Sequence, residues 1–107
     1  MISEKKETHL YIKLEENEEN SFAQNILSLE FSSDLILDLL SFEIINEFQI
    51  FSLNQINQNI ISKGFCLVVA LKEFPQIPKI ESLNIVFTLI EAENYIQMEQ
   101  IQRDLGI

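Results

Sequence analysis

Apolar and polar residues first alternate regularly at 9–14, His9-Leu10-Tyr11-Ile12-Lys13-Leu14. Leu10, Ile12 and Leu14 fall on one side, and that period of two predicts a half-buried strand. A denser run follows at 35–39, Leu35-Ile36-Leu37-Asp38-Leu39. It predicts a strand covered on both faces, as in the centre of a parallel sheet. Asp38 within it must sit at the strand's end or be hydrogen-bonded, because a bare buried carboxylate is costly. From 47 to 61 the spacing turns helical. Phe48, Phe51, Ile56 and Ile60 lie near a common face, with Ile50, Leu53 and Ile61 beside them. Asn46 suits the N-cap, Glu47 the first turn of the helix dipole, and Lys63-Gly64 the stop.

Residues 65–71, Phe65-Cys66-Leu67-Val68-Val69-Ala70-Leu71, form a second buried run. Strand, helix and strand at this spacing make a right-handed βαβ crossover the default. A short strand is predicted at 83–87. Thr88 with Glu91 three residues on then reads as a capping box opening a last helix. Ala92, Tyr95, Ile96, Met98 or Glu99, and Ile101 carry that helix to a stop at Gly106. It either packs its Ala92, Tyr95, Ile96 stripe on the sheet, or projects its far end, 101–107, toward a partner or a second copy.

The remaining stretches are less regular. Residues 1–7 are polar and expected to be disordered. The acidic run 15–20 is a solvated loop or hairpin tip, with an acidic docking patch for a basic protein as the alternative. In 21–31, Phe22, Ile26 and Leu29 have helical spacing behind a Ser21 cap, and Ala23-Gln24-Asn25 is poor strand material; a helix is favoured and a strand stays open. Pro75 and Pro78 make 72–78 a connection. There is no internal repeat or linker. The expectation is therefore one α/β domain over 1–107, with helices on a mixed central sheet.

Charge narrows the partners. Asp and Glu number 17 against 7 Lys and Arg, for a net −10. That repels phosphate backbones and anionic lipid and points any steering toward a basic partner. The single cysteine, Cys66, excludes an internal disulfide and suggests a reducing compartment. No leader-like start and no apolar run of about 18–20 residues is present, so a soluble, cytoplasmic chain is expected. The chemistry-bearing residues are sparse. His9 stands alone on a strand, which argues against a metal site. Cys66 lies in an apolar run where a thiol behaves as a small hydrophobe. With Gly64 and Gly106 the only glycines, there is no phosphate-cradling loop. The chain is expected to be non-catalytic and to carry no cofactor.

In order and length these elements resemble the STAS domain, named for sulphate transporters and anti-sigma-factor antagonists. Leu35-Ile36-Leu37-Asp38-Leu39 is similar to the family's central apolar strand ending in Asp-Leu. The stretch from Phe42 to Ile50 resembles its turn and helix start, Lys63 to Val69 its next strand, and Ile85 to Ala92 a shortened form of its closing element. About three quarters of the chain is covered. The resemblance implies a protein-interaction module of a bacterial cytoplasm, with a partner of the anti-sigma-factor kinase or signalling-complex type approaching Asn46, Glu47, Phe48, Gln49 and Ile50. A monomer or weak homodimer is expected.

The turn departs from the family's pattern. Regulatory members carry Asp-Ser-Ser-Gly there and are phosphorylated on the first serine; the matching positions here are Asn46, Glu47, Phe48 and Gln49. Glu47, at the phosphoacceptor position, cannot accept phosphate. It is either a first-turn acid without a switching role or a permanently charged stand-in, although phosphate carries nearly twice the charge. Phe48 either fills the core between helix and sheet or anchors a partner from an exposed position. Ser41 and Ser52 are nearby hydroxyls open to modification.

Two rival functions follow. The acidic last helix and Arg103-Asp104-Leu105-Gly106 resemble short chains bearing the name of ribonuclease Z, the tRNA 3′-processing nuclease. The His-x-His-x-Asp-His metal motif of that enzyme is missing, so this reading makes the chain an accessory protein of an RNA-processing enzyme. The other rival is a small-molecule-binding domain with a pocket beside the same turn.

Overall fold

The computed structural model describes residues 2–15, 32–73 and 83–106. Its core is a five-stranded sheet in the order β1 (Ile2–Lys5), β2 (His9–Lys13), β3 (Asp34–Asp38), β4 (Leu67–Ala70), β5 (Asn84–Val86). β1 is antiparallel to β2 and the rest run parallel, so the sheet is mixed. Helix α1 (Glu47–Ser62) joins β3 to β4, and α2 (Leu89–Asp104) follows β5. The acidic loop, the candidate helix at 21–31 and most of the proline-bearing connection fall in 16–31 and 74–82, outside the described residues.

The pleat sorts the apolar run of β3 to two sides. Leu35, Leu37 and Leu39 join Ile12, Leu14, Leu67, Val69 and Leu71 beneath Ile50, Leu53, Ile56 and Ile60 of α1. Ile36 points the other way and meets Val68 with Ala92 and Ile96 of α2. A strand clothed on both faces reads as uninterrupted hydrophobicity for this reason. All of β3 is buried, and it pairs with β2 on one side and β4 on the other, so it holds the centre of the sheet.

Two expectations differ from what forms. Residues 2–5 are an edge strand and not disordered: Ile2 to Lys5 pair with Lys13 to Leu10, and the Lys6 N–H closes the turn on the His9 carbonyl at 2.8 Å. All four residues are exposed, so backbone pairing and not a buried apolar face orders them, and no such face marks them in the sequence. The second difference is the inward face of α1, which is Ile50, Leu53, Ile56 and Ile60 together with buried Gln49, Ser52 and Asn57. Phe48 and Phe51, expected on the core stripe, turn to solvent at 70% and 59% exposure. Helix α2 buries Ala92 and Ile96, half-buries Tyr95 and leaves Met98 and Ile101 exposed. The expected stripe of Ala92, Tyr95 and Ile96 thus meets the sheet, and Gln100 and Arg103 carry the contact further through Asp34. No helix among the described residues is long and apolar enough to cross a membrane.

Both helices begin and end where their caps dictate. The Asn46 side chain accepts the Gln49 N–H at 2.8 Å while the Gln49 side chain accepts the Asn46 N–H at 2.9 Å, a reciprocal capping box. Gly64 follows the last turn at φ +86°, a left-handed conformation that costs glycine little. Thr88 caps α2, its hydroxyl oxygen accepting the Glu91 N–H at 3.1 Å and its hydroxyl donating to the Glu91 carboxylate at 3.0 Å.

Candidate functional site

The carboxyl end of β3 is where the chain leaves the sheet, and Asp38 governs the exit. Its side chain is buried and satisfied from two directions. Tyr11 on β2 donates its hydroxyl to Oδ2, and the Leu40 N–H donates to Oδ1 at 3.0 Å. Thus Asp38 stands at the strand's last position and is hydrogen-bonded, which meets both conditions a carboxylate needs there. Burial and the Asp38 carboxylate push the Tyr11 hydroxyl well above the ordinary tyrosine range, so it stays a donor.

The pairing continues just past the strands. Leu14 N–H reaches the Asp38 carbonyl at 3.1 Å, and Leu39 N–H reaches the Ala70 carbonyl at 3.0 Å. The chain then turns sharply, with the Phe42 N–H on the Leu39 carbonyl at 3.0 Å and the Ser41 hydroxyl on the Leu14 carbonyl at 3.0 Å. Phe42 drops its ring into the core. The stretch from Ile44 to Asn46 emerges between that plug and the capping box. Glu43, also at the surface, pairs with Lys72 beyond β4 at 2.5 Å.

The five positions expected to meet a partner divide in two. Asn46, Glu47 and Phe48 are exposed. Gln49 and Ile50 are buried, Gln49 locked into the capping box and Ile50 in the core below α1. These two build the corner and do not face outward. The ring of Phe48 is not a core filler: it stands in solvent, with Ile44 at 78% exposure before it and Phe51 one turn further along the helix. Ile44 and Phe51 join the exposed set without having been expected there. Phe51 lies three residues from Phe48, the spacing that puts two side chains on one helix face, and that is the signal that could have located it.

The two candidate hydroxyls are both engaged. Ser52 is buried and donates to the Phe48 carbonyl at 3.1 Å, and Ser41 is half-buried and holds Leu14. What this corner offers to solvent is the exposed side chains of Ile44, Phe48 and Phe51, the Asn46 amide and the Glu47 carboxylate. Such a surface suits binding and provides no nucleophile. Among the described residues no group of three metal-ligating side chains converges. Burial and the neighbouring Asp34 carboxylate push the Cys66 thiol up to about 12, which keeps it protonated and unreactive.

A central strand, a buried aspartate at its end and a capped helix springing from the next turn belong to a small α/β architecture with the STAS-like fold. Among solved structures, a serine-to-glutamate variant of RsbS from Moorella thermoacetica has this fold, with a TM-score of 0.66 over 92% of this chain and 96% of that one, at 14% sequence identity. At that identity the likeness is one of fold. No family model and no curated protein matches the chain in sequence.

Proposed function

We propose that this chain is a non-catalytic STAS-type regulatory module that binds a signalling protein through the turn between β3 and α1. The observation that carries the reading is the exposure of Phe48, a large aromatic held outward at 70% by a helix start that is itself rigidly capped. Aromatic anchors of this kind are over-represented among the residues that dominate protein interfaces. Ile44 and Phe51 add exposed apolar surface at the same corner, and Glu47 adds negative charge. That fits the net −10 of the chain and a partner with a basic contact surface. The resemblance to STAS domains adds the class of partner, an anti-sigma-factor kinase-like or related signalling protein.

The test is affinity capture from the source cell with the full chain and with Phe48→Asp, followed by mass spectrometry. The reading expects a signalling ATPase or scaffold held by the parent chain and lost in the variant. Capture of an RNA-processing nuclease, or a partner indifferent to Phe48, would remove it. Glu47→Ser in the same assay separates the two roles of that carboxylate, since unchanged affinity leaves Glu47 as a first-turn acid only.

A further inference from the structure

The far side of the sheet holds a second surface that the turn does not use. Helix α2 buries only Ala92 and Ile96 fully, yet it turns Ile90, Met98 and Ile101 outward, with Leu105 exposed at its C-cap. Asn94, Met98, Ile101 and Leu105 are spaced four, three and four residues apart, the pattern of a seam that meets another helix. Beside the seam lies a groove of about 450 Å³, floored by Val86 of the edge strand β5 and by Tyr95 and Met98, with Glu91 and Glu99 among its walls. The groove lies where a further helix would sit next to α2 across the edge of the sheet.

We propose that this outer face of α2 is a docking surface for a basic amphipathic helix of a partner protein. Charge selects that occupant. The helix carries Glu91, Glu93, Glu99 and Asp104 against Arg103 alone, and the guanidinium of Arg103 is already committed to Asp34 at 2.5 Å. A second copy of the chain would bring −10 against −10 and two acidic rims together. A helix with lysine or arginine flanking an apolar stripe matches both the seam and its border. The face is also held firmly. Gln100 donates to the Thr8 carbonyl at 2.8 Å and to Asp34 at 2.9 Å, and Tyr95 donates to Asn84 on β5 at 2.8 Å. The seam is thus presented by a fixed helix, which reduces the ordering cost of binding. This surface is independent of the β3–α1 turn, and either could fail without the other.

The experiment is NMR titration of the ¹⁵N-labelled full chain with a synthetic amphipathic helix of leucine–lysine heptads, alongside a leucine–glutamate peptide of the same pattern. The lysine peptide is expected to shift Val86, Asn94, Met98 and Gln102, with affinity falling about tenfold in Met98→Asp and in Ile101→Asp. Both substituted positions are exposed, and amide spectra report whether each variant keeps its fold. Equal binding of the glutamate peptide, shifts confined to Ile44, Phe48 and Phe51, or sedimentation showing a dimer of the parent chain that Met98→Asp dissolves would each overturn the proposal.

Discussion

Arg103 in the last turn of α2 closes on Asp34, the first residue of β3, at 2.5 Å, although 69 positions separate the two in sequence. Asp34 is 2% exposed, and its carboxylate also accepts the Cys66 N–H at 2.9 Å and Gln100 at 2.9 Å. Arg103 further reaches the Gly64 carbonyl at 3.3 Å. One buried carboxylate therefore ties together the start of β3, the approach to β4 and the end of α2.

Removing one partner of a buried charge leaves the other poorly satisfied. Arg103→Ala is expected to lower unfolding stability by about 2 kcal/mol, less than a fully buried pair would lose because the guanidinium is partly in water. Urea denaturation gives the value. Arg103→Lys should recover only part of it, since lysine cannot reach Asp34 and Gly64 with one planar fork.

Acid should weaken the fold in two steps. Burial lowers the His9 pKa, outweighing the pull of Glu93 in the other direction. Burial alone would raise Asp34, but hydrogen bonds from Arg103, the Cys66 N–H and Gln100 outweigh it and hold that carboxyl below the ordinary range. Both groups thus bind protons more readily in the unfolded chain. Stability is full at neutral pH, declines as pH falls below the ordinary histidine value of 6.5, and declines again below 3.8 through the folded value of Asp34. Denaturation midpoints across this range should lose the lower step in Asp34→Asn and the upper one in His9→Gln.

The capping box offers a separate handle. Asn46→Ala is expected to cost about 1 kcal/mol by freeing the Gln49 N–H, while Asn46→Asp should stay close to the parent because an aspartate caps equally well. Thermal melts of the three chains decide it, and equal losses for alanine and aspartate would mean that the cap contributes little.

Core and surface should respond oppositely to truncation. Leu53→Ala removes a fully buried side chain and is expected to cost about 2–5 kcal/mol. Phe48→Ala, at an exposed position, should change stability by no more than about 0.5 kcal/mol. Chemical denaturation of both variants checks the contrast.

The elements with a buried face were legible in the sequence because their periodicity is imposed by that face. β2, β3, β4 and both helices follow from the spacing of Ile12, Leu35, Leu67, Ile56 and Ile96, and Asn46, Gly64 and Thr88 mark helix ends by local chemistry alone. β1 was not legible, since a strand exposed on both sides imposes no alternation. The rotation of α1 was missed because its first turns are apolar nearly all round, so spacing could not choose between Phe48–Phe51 and Ile50–Leu53. Burial of polar Gln49, Ser52 and Asn57 settles the choice, and nothing local announces it. Long-range pairs such as Asp34 with Arg103 leave no trace in a single sequence. The exposed half of the candidate site was visible at Asn46, Glu47 and Phe48, whereas Ile44 and Phe51 needed the helix's orientation.

The proposed function requires Phe48 to stand at the contact with a protein partner. Site-specific photocrosslinking tests it most directly, with a benzophenone amino acid placed at position 48 of the full chain in its own cell and, as a control, at the exposed position of Gln58 on the same helix. One dominant protein adduct is expected from position 48, absent from position 58. Adducts of equal yield and pattern from both positions, or none from position 48, would contradict it.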